Sequence, residues 1–136
     1  MIDEKIKKKL IASAKEAREN AYVPYSNFPL GAAILTKEGK IFTGVNIENS
    51  SYGLTICAER AAIFNAISQG YKNIIALALV SDTDEPVTPC GACRQVMSEF
   101  SSDIKIIMCN LEGKEKIISS NKLLPGAFSG DVLNNE

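Results

Sequence analysis

Cys57-Ala58-Glu59-Arg60 and, further on, Pro89-Cys90-Gly91-Ala92-Cys93 bring three cysteines and one glutamate into two short segments. Thiolates suit zinc, and a structural zinc takes four protein ligands where a catalytic one takes three and leaves the fourth position to water. The chain has four cysteines and no histidine. The fourth, Cys109, ends the apolar run Ile104-Lys105-Ile106-Ile107-Met108, where a cysteine is usually a small buried hydrophobe. The expected metal site is therefore one zinc ion held by Cys57, Cys90 and Cys93, with one coordination position open.

Glu59 stands two residues from Cys57, near enough to reach a zinc-activated water without being a ligand. Zinc lowers the pKa of such a water toward about 7, and a carboxylate beside it collects the released proton and passes it to a leaving group. The helix dipole alone also favours a glutamate in a first turn; the nearby PCxxC group tips the reading toward a proton shuttle. Three thiolates leave a divalent ion with one excess negative charge, so a neighbouring cation is expected to offset it. Arg60 and Arg94 adjoin the ligand segments and are the candidates, although most arginines are simply exposed charges.

Both cysteine groups belong at helix starts. Residues 55–69 read as a short helix that begins near Cys57 and stops before Gly70, a residue suited to the C-terminal cap. Pro89 and Gly91 bracket Cys90 at the start of a second helix over 92–100, with Val96 and Phe100 spaced four apart on its buried face. Free N–H groups and the positive end of the dipole lower thiol pKa values at such positions, which favours the thiolate that a metal requires.

The remaining pattern supplies the platform. Ile6, Leu10, Ile11, Ala14 and Ala17 mark an amphipathic first helix with Lys7-Lys8-Lys9 on its solvated face. The prolines of 23–29 predict a loop, and 30–36 and 40–46 flank Lys37-Glu38-Gly39 as a hairpin. Residues 74–80 are almost continuously apolar, the pattern of a strand buried on both faces and joined to its neighbour through a helix; 104–108 is a second such strand and 114–119 an edge strand. These elements predict an α/β fold in which helices cover a sheet and both cysteine helices start at one end of it.

The 136 residues suit a single domain over 1–136, and 46% hydrophobic content is enough for a packed core. No apolar run approaches a membrane span and no apolar signal segment follows the amino-terminal lysines, so a cytoplasmic protein with no membrane partner is expected. Thiols kept reduced for a metal fit that compartment. A net charge of −1 and a pI near 5.6 provide no broad basic surface, which argues against a nucleic-acid partner and for a free small-molecule substrate.

Cys57-Ala58-Glu59-Arg60 with Pro89-Cys90-Gly91-Ala92-Cys93-Arg94-Gln95 closely resembles the small, homotetrameric cytidine deaminases of pyrimidine salvage, with cysteine where the broader zinc-deaminase signature has histidine. The resemblance covers almost the whole chain, through Tyr25-Ser26-Asn27-Phe28, Gly44-Val45-Asn46-Ile47-Glu48-Asn49 and Leu123-Leu124-Pro125-Gly126-Ala127-Phe128. It implies a three-layer α/β/α sandwich with a mixed sheet of about five strands, one Zn2+ per subunit, and hydrolysis of cytidine and 2′-deoxycytidine to uridine, 2′-deoxyuridine and ammonia. It further implies that Asn46 and Glu48 hold the ribose hydroxyls, that Phe28 packs on the pyrimidine and that the backbone of Ala58 meets the base edge. Tyr52 and Phe128 match aromatics that complete a neighbouring subunit's site, so active sites shared within a homotetramer are expected. By themselves Asn46 and Glu48 could equally be turn residues, and Phe28 would read as core.

The mechanism this implies brings hydroxide from the zinc to C4 of cytidine while Glu59 protonates the ring nitrogen and then relays the proton to the departing ammonia. Ala61 stands where family members often have threonine, and Ser50 and Gly53-Leu54-Thr55-Ile56 receive no role. Two alternatives stay open. One is a non-catalytic zinc module in which Cys109 or a partner residue closes the coordination. The other is a deaminase of an antibiotic nucleoside such as blasticidin S, against which Arg60 and the Pro125-Gly126-Ala127-Phe128 segment argue.

Overall fold

The computed structural model describes residues 2–101 and 103–129. Helix α1 (Glu4–Ala17) leads through a short 3-10 turn to the hairpin β1 (Leu30–Thr36) and β2 (Ile41–Val45). A second 3-10 turn, Tyr52–Leu54, precedes α2 (Ala58–Ser68). Then come β3 (Ile74–Ser81), α3 (Gly91–Phe100), β4 (Lys105–Asn110), β5 (Glu115–Ser119) and the short α4 (Ser120–Leu123), which the sequence pattern did not predict. The five strands form one mixed sheet in the order β2-β1-β3-β4-β5, with β3 and β4 parallel across α3 and every other pair antiparallel.

Side-chain alternation along the strands divides the core in two. Ala32, Ile34, Leu77, Leu79, Ile106 and Met108 face α2 and α3, where they meet Ala62, Ile63, Ala66 and Met97. Ala33, Leu35, Ala76, Ala78, Val80, Ile107 and Cys109 face the other way and pack with Leu10 and Ala14 of α1. The sheet is thus a middle layer between α1 and the two cysteine helices. Asp3 caps α1 by accepting from Ile6 N–H at 2.8 Å, satisfying one orphan donor of the first turn.

Several expectations shift. Helix α2 begins at Ala58 rather than at 55, because Ile56 stays extended and exchanges two 3.0 Å hydrogen bonds with Ile47. On α3 the buried residues are Cys93 and Met97, while Val96 and Phe100 are only half-buried flanks. Lys7 is not a purely solvated charge: it pairs with Glu4 at 3.0 Å and with Glu115 of β5 at 2.5 Å, whereas Lys8 and Lys9 are exposed.

Register fixes where the chemistry sits. Leu30 pairs with Ser81 and Ser81 with Asn110, so the start of β1 and the carboxyl ends of β3 and β4 share one end of the sheet. Helix α2 reaches that end by packing directly on Gly44 of β2. A Cβ added there would lie 2.2 Å from the Ala62 nitrogen and 2.7 Å from the Ala58 carbonyl oxygen, both backbone atoms that cannot swing away. Replacing Gly44 by Ala is therefore expected to lower the urea-unfolding free energy by about 1–3 kcal/mol or more; unchanged stability would show that α2 does not rest on this glycine.

Candidate active site

The two cysteine helices begin next to one another. Cys57 is the N-cap of α2 and Cys90 the N-cap of α3, and the Cys90 sulfur accepts from the N–H of Cys93 at 3.5 Å. Cys57 and Cys90 sulfurs lie 3.7 Å apart, Cys90 and Cys93 sulfurs 3.3 Å, and all three fall within 4.8 Å of one another. Tetrahedral coordination with Zn–S bonds of about 2.3 Å separates sulfurs by roughly 3.8 Å, so the three thiols fit a single zinc ion. Cys109 belongs to the core on the α1 face of the sheet, whereas Cys93 is packed on the opposite face. It is therefore no fourth member of the group.

Charge around the sulfurs is uneven. A hydrogen bond from Cys93 draws the Cys57 thiol down to about 5 against the opposing effect of burial, and Arg60 adds to the pull. The same bond pushes the Cys93 thiol far up, because a second thiolate beside the first is unfavourable. Arg60 Nη2 donates to the Cys57 sulfur at 3.3 Å, and that bond raises the guanidinium pKa. The charge expected to offset the thiolates thus lies against one of them. Arg94 goes elsewhere: its Nε donates to the Pro89 carbonyl at 2.8 Å and its Nη1 to the Leu123 carbonyl at 3.1 Å. Those bonds tie backbone on either side of α3 and bring no charge to a sulfur.

Glu59, in the first turn of α2, is only 3% exposed. Its Oε1 is buried with no hydrogen-bond partner, an arrangement that costs free energy unless the atom serves a ligand. Burial lifts its carboxyl to about 7, and the charge on Cys57 adds to the lift. A carboxyl tuned to neutrality in a cleft has the property expected of a general acid and base.

That cleft, of about 210 Å³, is lined by Phe28, Asn46, Thr55, Val87 and Thr88 together with Cys57, Glu59 and Cys90. A neighbouring depression holds Glu48 and Tyr52 with Tyr25 and Ser26, and Thr55 borders both. Ala58 is fully buried between Cys57 and Glu59 in sequence, and its N–H is one of the first-turn donors that no helical carbonyl satisfies. Asn46, 8% exposed, braces the cleft wall by donating to the Phe28 carbonyl at 2.8 Å and accepting from Leu30 N–H at 2.9 Å. Glu48 accepts from the Ser26 hydroxyl and from the N–H groups of Tyr25 and Ser26 at 3.0 and 3.1 Å. The Ser26 bond, reinforced by the two backbone donors, holds the Glu48 carboxyl below its ordinary value.

Tyr52 and Phe128 are 76% and 60% exposed. Tyr52 stacks edge-on with Tyr25 at 6.0 Å, while the Phe128 carbonyl accepts from Gln95 Nε2 at 2.9 Å. Phe128 does not line the cleft of its own chain. Thr55, Val87 and Thr88 carried no signal beyond their closeness to the cysteines, since their places follow from the Ile47–Ile56 pairing and the course of the loop before Cys90.

A family model described as "Cytidine and deoxycytidylate deaminase zinc-binding region" matches residues 4–110. The chain belongs to this deaminase family. All three thiols and Glu59 fall inside the matched region, and zinc is the ion that this sulfur set suits. Among deaminase relatives, the cytidine deaminase of Halalkalibacterium halodurans is 54% identical over 127 residues, 93% of this chain and 96% of its own length. The crystal structure of cytidine deaminase from Burkholderia pseudomallei superposes with a TM-score of 0.86 at 49% identity, covering 89% of this chain and 98% of that one. The blasticidin-S deaminase of Bacillus cereus is 35% identical over 104 residues, 71% of this chain and 74% of its own.

The elevated Glu59 carboxyl makes a stability prediction for chelator-treated protein. Both folded and unfolded chains hold the proton below the unfolded value of 4.5; between there and about 7 only the folded chain does, so stability falls as pH rises through that window. Glu59→Gln removes this loss. It should match the wild type near pH 4 and exceed it by up to about 3 kcal/mol at pH 7.5; a stability difference that does not change with pH would mean the carboxyl titrates normally.

Proposed function

We propose that the protein is a cytidine deaminase that hydrolyses cytidine and 2′-deoxycytidine to the corresponding uridines and ammonia, serving pyrimidine salvage in the cytoplasm. The observation that carries this reading is the buried Glu59 carboxyl, whose Oε1 has no hydrogen-bond partner among the described residues, beside three convergent thiols in a cleft. Family membership supplies the reaction class, and the lower coverage and identity of the blasticidin-S deaminase favour the pyrimidine nucleoside over the antibiotic.

Cys57, Cys90 and Cys93 would hold the zinc, which acidifies water and so makes hydroxide available at neutral pH. Glu59 performs the proton chemistry. Its Oε1 accepts a proton from the attacking water, gives it to the ring nitrogen next to C4 as the C–O bond forms, then takes the remaining proton from the hydroxyl now on C4 and passes it to the amino group, so that ammonia leaves as the C–N bond breaks and the C4 carbonyl forms. A pKa of about 7 serves such a group in both directions. Arg60 draws charge from Cys57, which keeps the metal an effective Lewis acid.

Phe28 offers its ring to the pyrimidine and the Ala58 backbone meets the base edge. Asn46 and Glu48 bind the ribose. Each amide atom of Asn46 has one hydrogen bond still to give or accept beyond those bracing Phe28 and Leu30, which lets one side chain shape the wall and hold substrate. The high exposure of Tyr52 and Phe128 supports their lying against a neighbouring subunit in a homotetramer with shared sites. Arg94 serves the site by fixing the Pro89 carbonyl just ahead of Cys90.

Ammonia release by zinc-loaded protein from cytidine, 2′-deoxycytidine, cytosine and blasticidin S, with chelator-stripped protein as control, tests the reading. Zinc-dependent turnover of both nucleosides is expected; turnover of blasticidin S alone would transfer the protein to the antibiotic deaminases, and no turnover with zinc bound would remove the enzymatic role. Glu59→Gln should keep zinc and fold yet lose about 10²–10⁴ in kcat, and near-native activity in that variant would take Glu59 out of the proton path. Sedimentation should show a tetramer, whereas a stable, fully active monomer would contradict the role given to Phe128.

A further inference from the structure

The connection over 82–89 crosses from the carboxyl end of β3 to Cys90 without helix or strand of its own. It must nevertheless place Val87 and Thr88 in the cleft wall and deliver Cys90 to within 3.7 Å of Cys57. At its far end Arg94 grips the Pro89 carbonyl. Its near end is held by one side chain from another strand.

Asn110, the last residue of β4, lies beside Ser81 in the sheet and is 3% exposed. Its Nδ2 donates to the carbonyls of both Thr83 and Asp84 at 3.0 Å. Its Oδ1 accepts from the N–H groups of Glu112 at 3.1 Å and Lys114 at 2.8 Å. A side-chain amide has two donors and two acceptor sites, and all four are used. One half of the amide closes the β4–β5 turn while the other half anchors the ligand-bearing connection to it. Lys114 of the same turn also pairs with Glu85, but both partners are largely exposed, and such pairs contribute little.

We propose that Asn110 is a positioning residue of the active site, which locks the 82–89 connection so that Cys90 completes the three-thiol group and Val87 and Thr88 keep the cleft shaped for substrate. The proposal rests on the deaminase reading of that cleft. The side-chain hydrogen bonds of Asn110 go to none of Cys57, Cys90 and Cys93, and Asn110 does not line the cleft. It acts through the connection, as residues behind metal ligands do when they orient the ligands in front of them.

Asn110→Asp separates the two halves of the amide. A carboxylate still accepts from Glu112 and Lys114 N–H and so keeps the turn, but it cannot donate to the Thr83 and Asp84 carbonyls and repels them. Thr36→Val is the control. Thr36 is buried and accepts from Lys40 N–H at 3.0 Å, but it pairs with Ile74 at the opposite end of the sheet from the thiols. The measurements are the melting temperature, the rate of zinc transfer to a colorimetric chelator, and KM and kcat for cytidine. N110D should transfer zinc about tenfold faster than wild type and raise KM more than it lowers kcat, while T36V loses stability without changing zinc transfer. Equal zinc-transfer rates in N110D and wild type, or the same acceleration in T36V, would overturn the proposal. Should N110D not fold, Asn110→Ala, which also removes the donors to Thr83 and Asp84, is read by the same criteria. Failure of the wild type to deaminate cytidine would count against the proposed function, while the zinc-transfer comparison would still decide the role of Asn110.

Discussion

Three sulfurs crowded at two helix starts are the constraint around which this molecule is arranged. Two thiolates about 4 Å apart repel by about 4 kcal/mol at an effective dielectric of 20, so three cannot ionise together without a cation. The protein meets part of that cost with its own charges, by placing two of the sulfurs at N-caps and Arg60 against the Cys57 sulfur. A zinc ion meets the rest. The sheet serves this convergence: β3 and β4 run parallel across α3, and Gly44 lets α2 settle close enough to bring Cys57 to Cys90.

The same burial that gathers the thiols tunes Glu59. Water is excluded from its Oε1, no neighbour replaces it, and the carboxyl rises to neutrality. The nearby cation does not reverse this: Arg60, whose Nη2 points at the Cys57 sulfur, lowers the Glu59 carboxyl less than burial raises it. A carboxyl near neutrality suits proton transfer in either direction, while Glu48, surrounded by donors from Tyr25 and Ser26, is held below its ordinary value. Two glutamates eleven residues apart in sequence receive opposite properties from their surroundings.

What could be read beforehand was local or repeated in the chain. The apolar runs of β3 and β4, the Lys37-Glu38-Gly39 turn and the CxxC spacing each announce themselves within a few residues, and those elements were located to within a residue or two. Helix α2 starts three residues later than its sequence pattern suggests because a bridge to the distant Ile47 keeps Ile56 extended, and no short-range pattern reveals that. Arg94 adjoins a ligand segment in sequence as Arg60 does, yet Arg60 follows Cys57 by three positions and reaches its sulfur while Arg94 turns back to Pro89 and Leu123. Asn46 was legible only through family likeness, and its bracing of Phe28 and Leu30 not at all. Asn110 was invisible, since its four partners come from two separate segments and only the fold brings them together.

If Cys57, Cys90 and Cys93 alone hold one metal ion, a coordination position is left for chemistry. Optical spectroscopy of cobalt-substituted protein tests it most directly, because charge-transfer intensity reports the number of thiolates and ligand-field bands report an exchangeable site. Three thiolates, a spectrum that responds to small added ligands, and no change on replacing Cys109 by serine are expected. Four thiolates with a spectrum indifferent to added ligand would contradict it and make the metal a structural one.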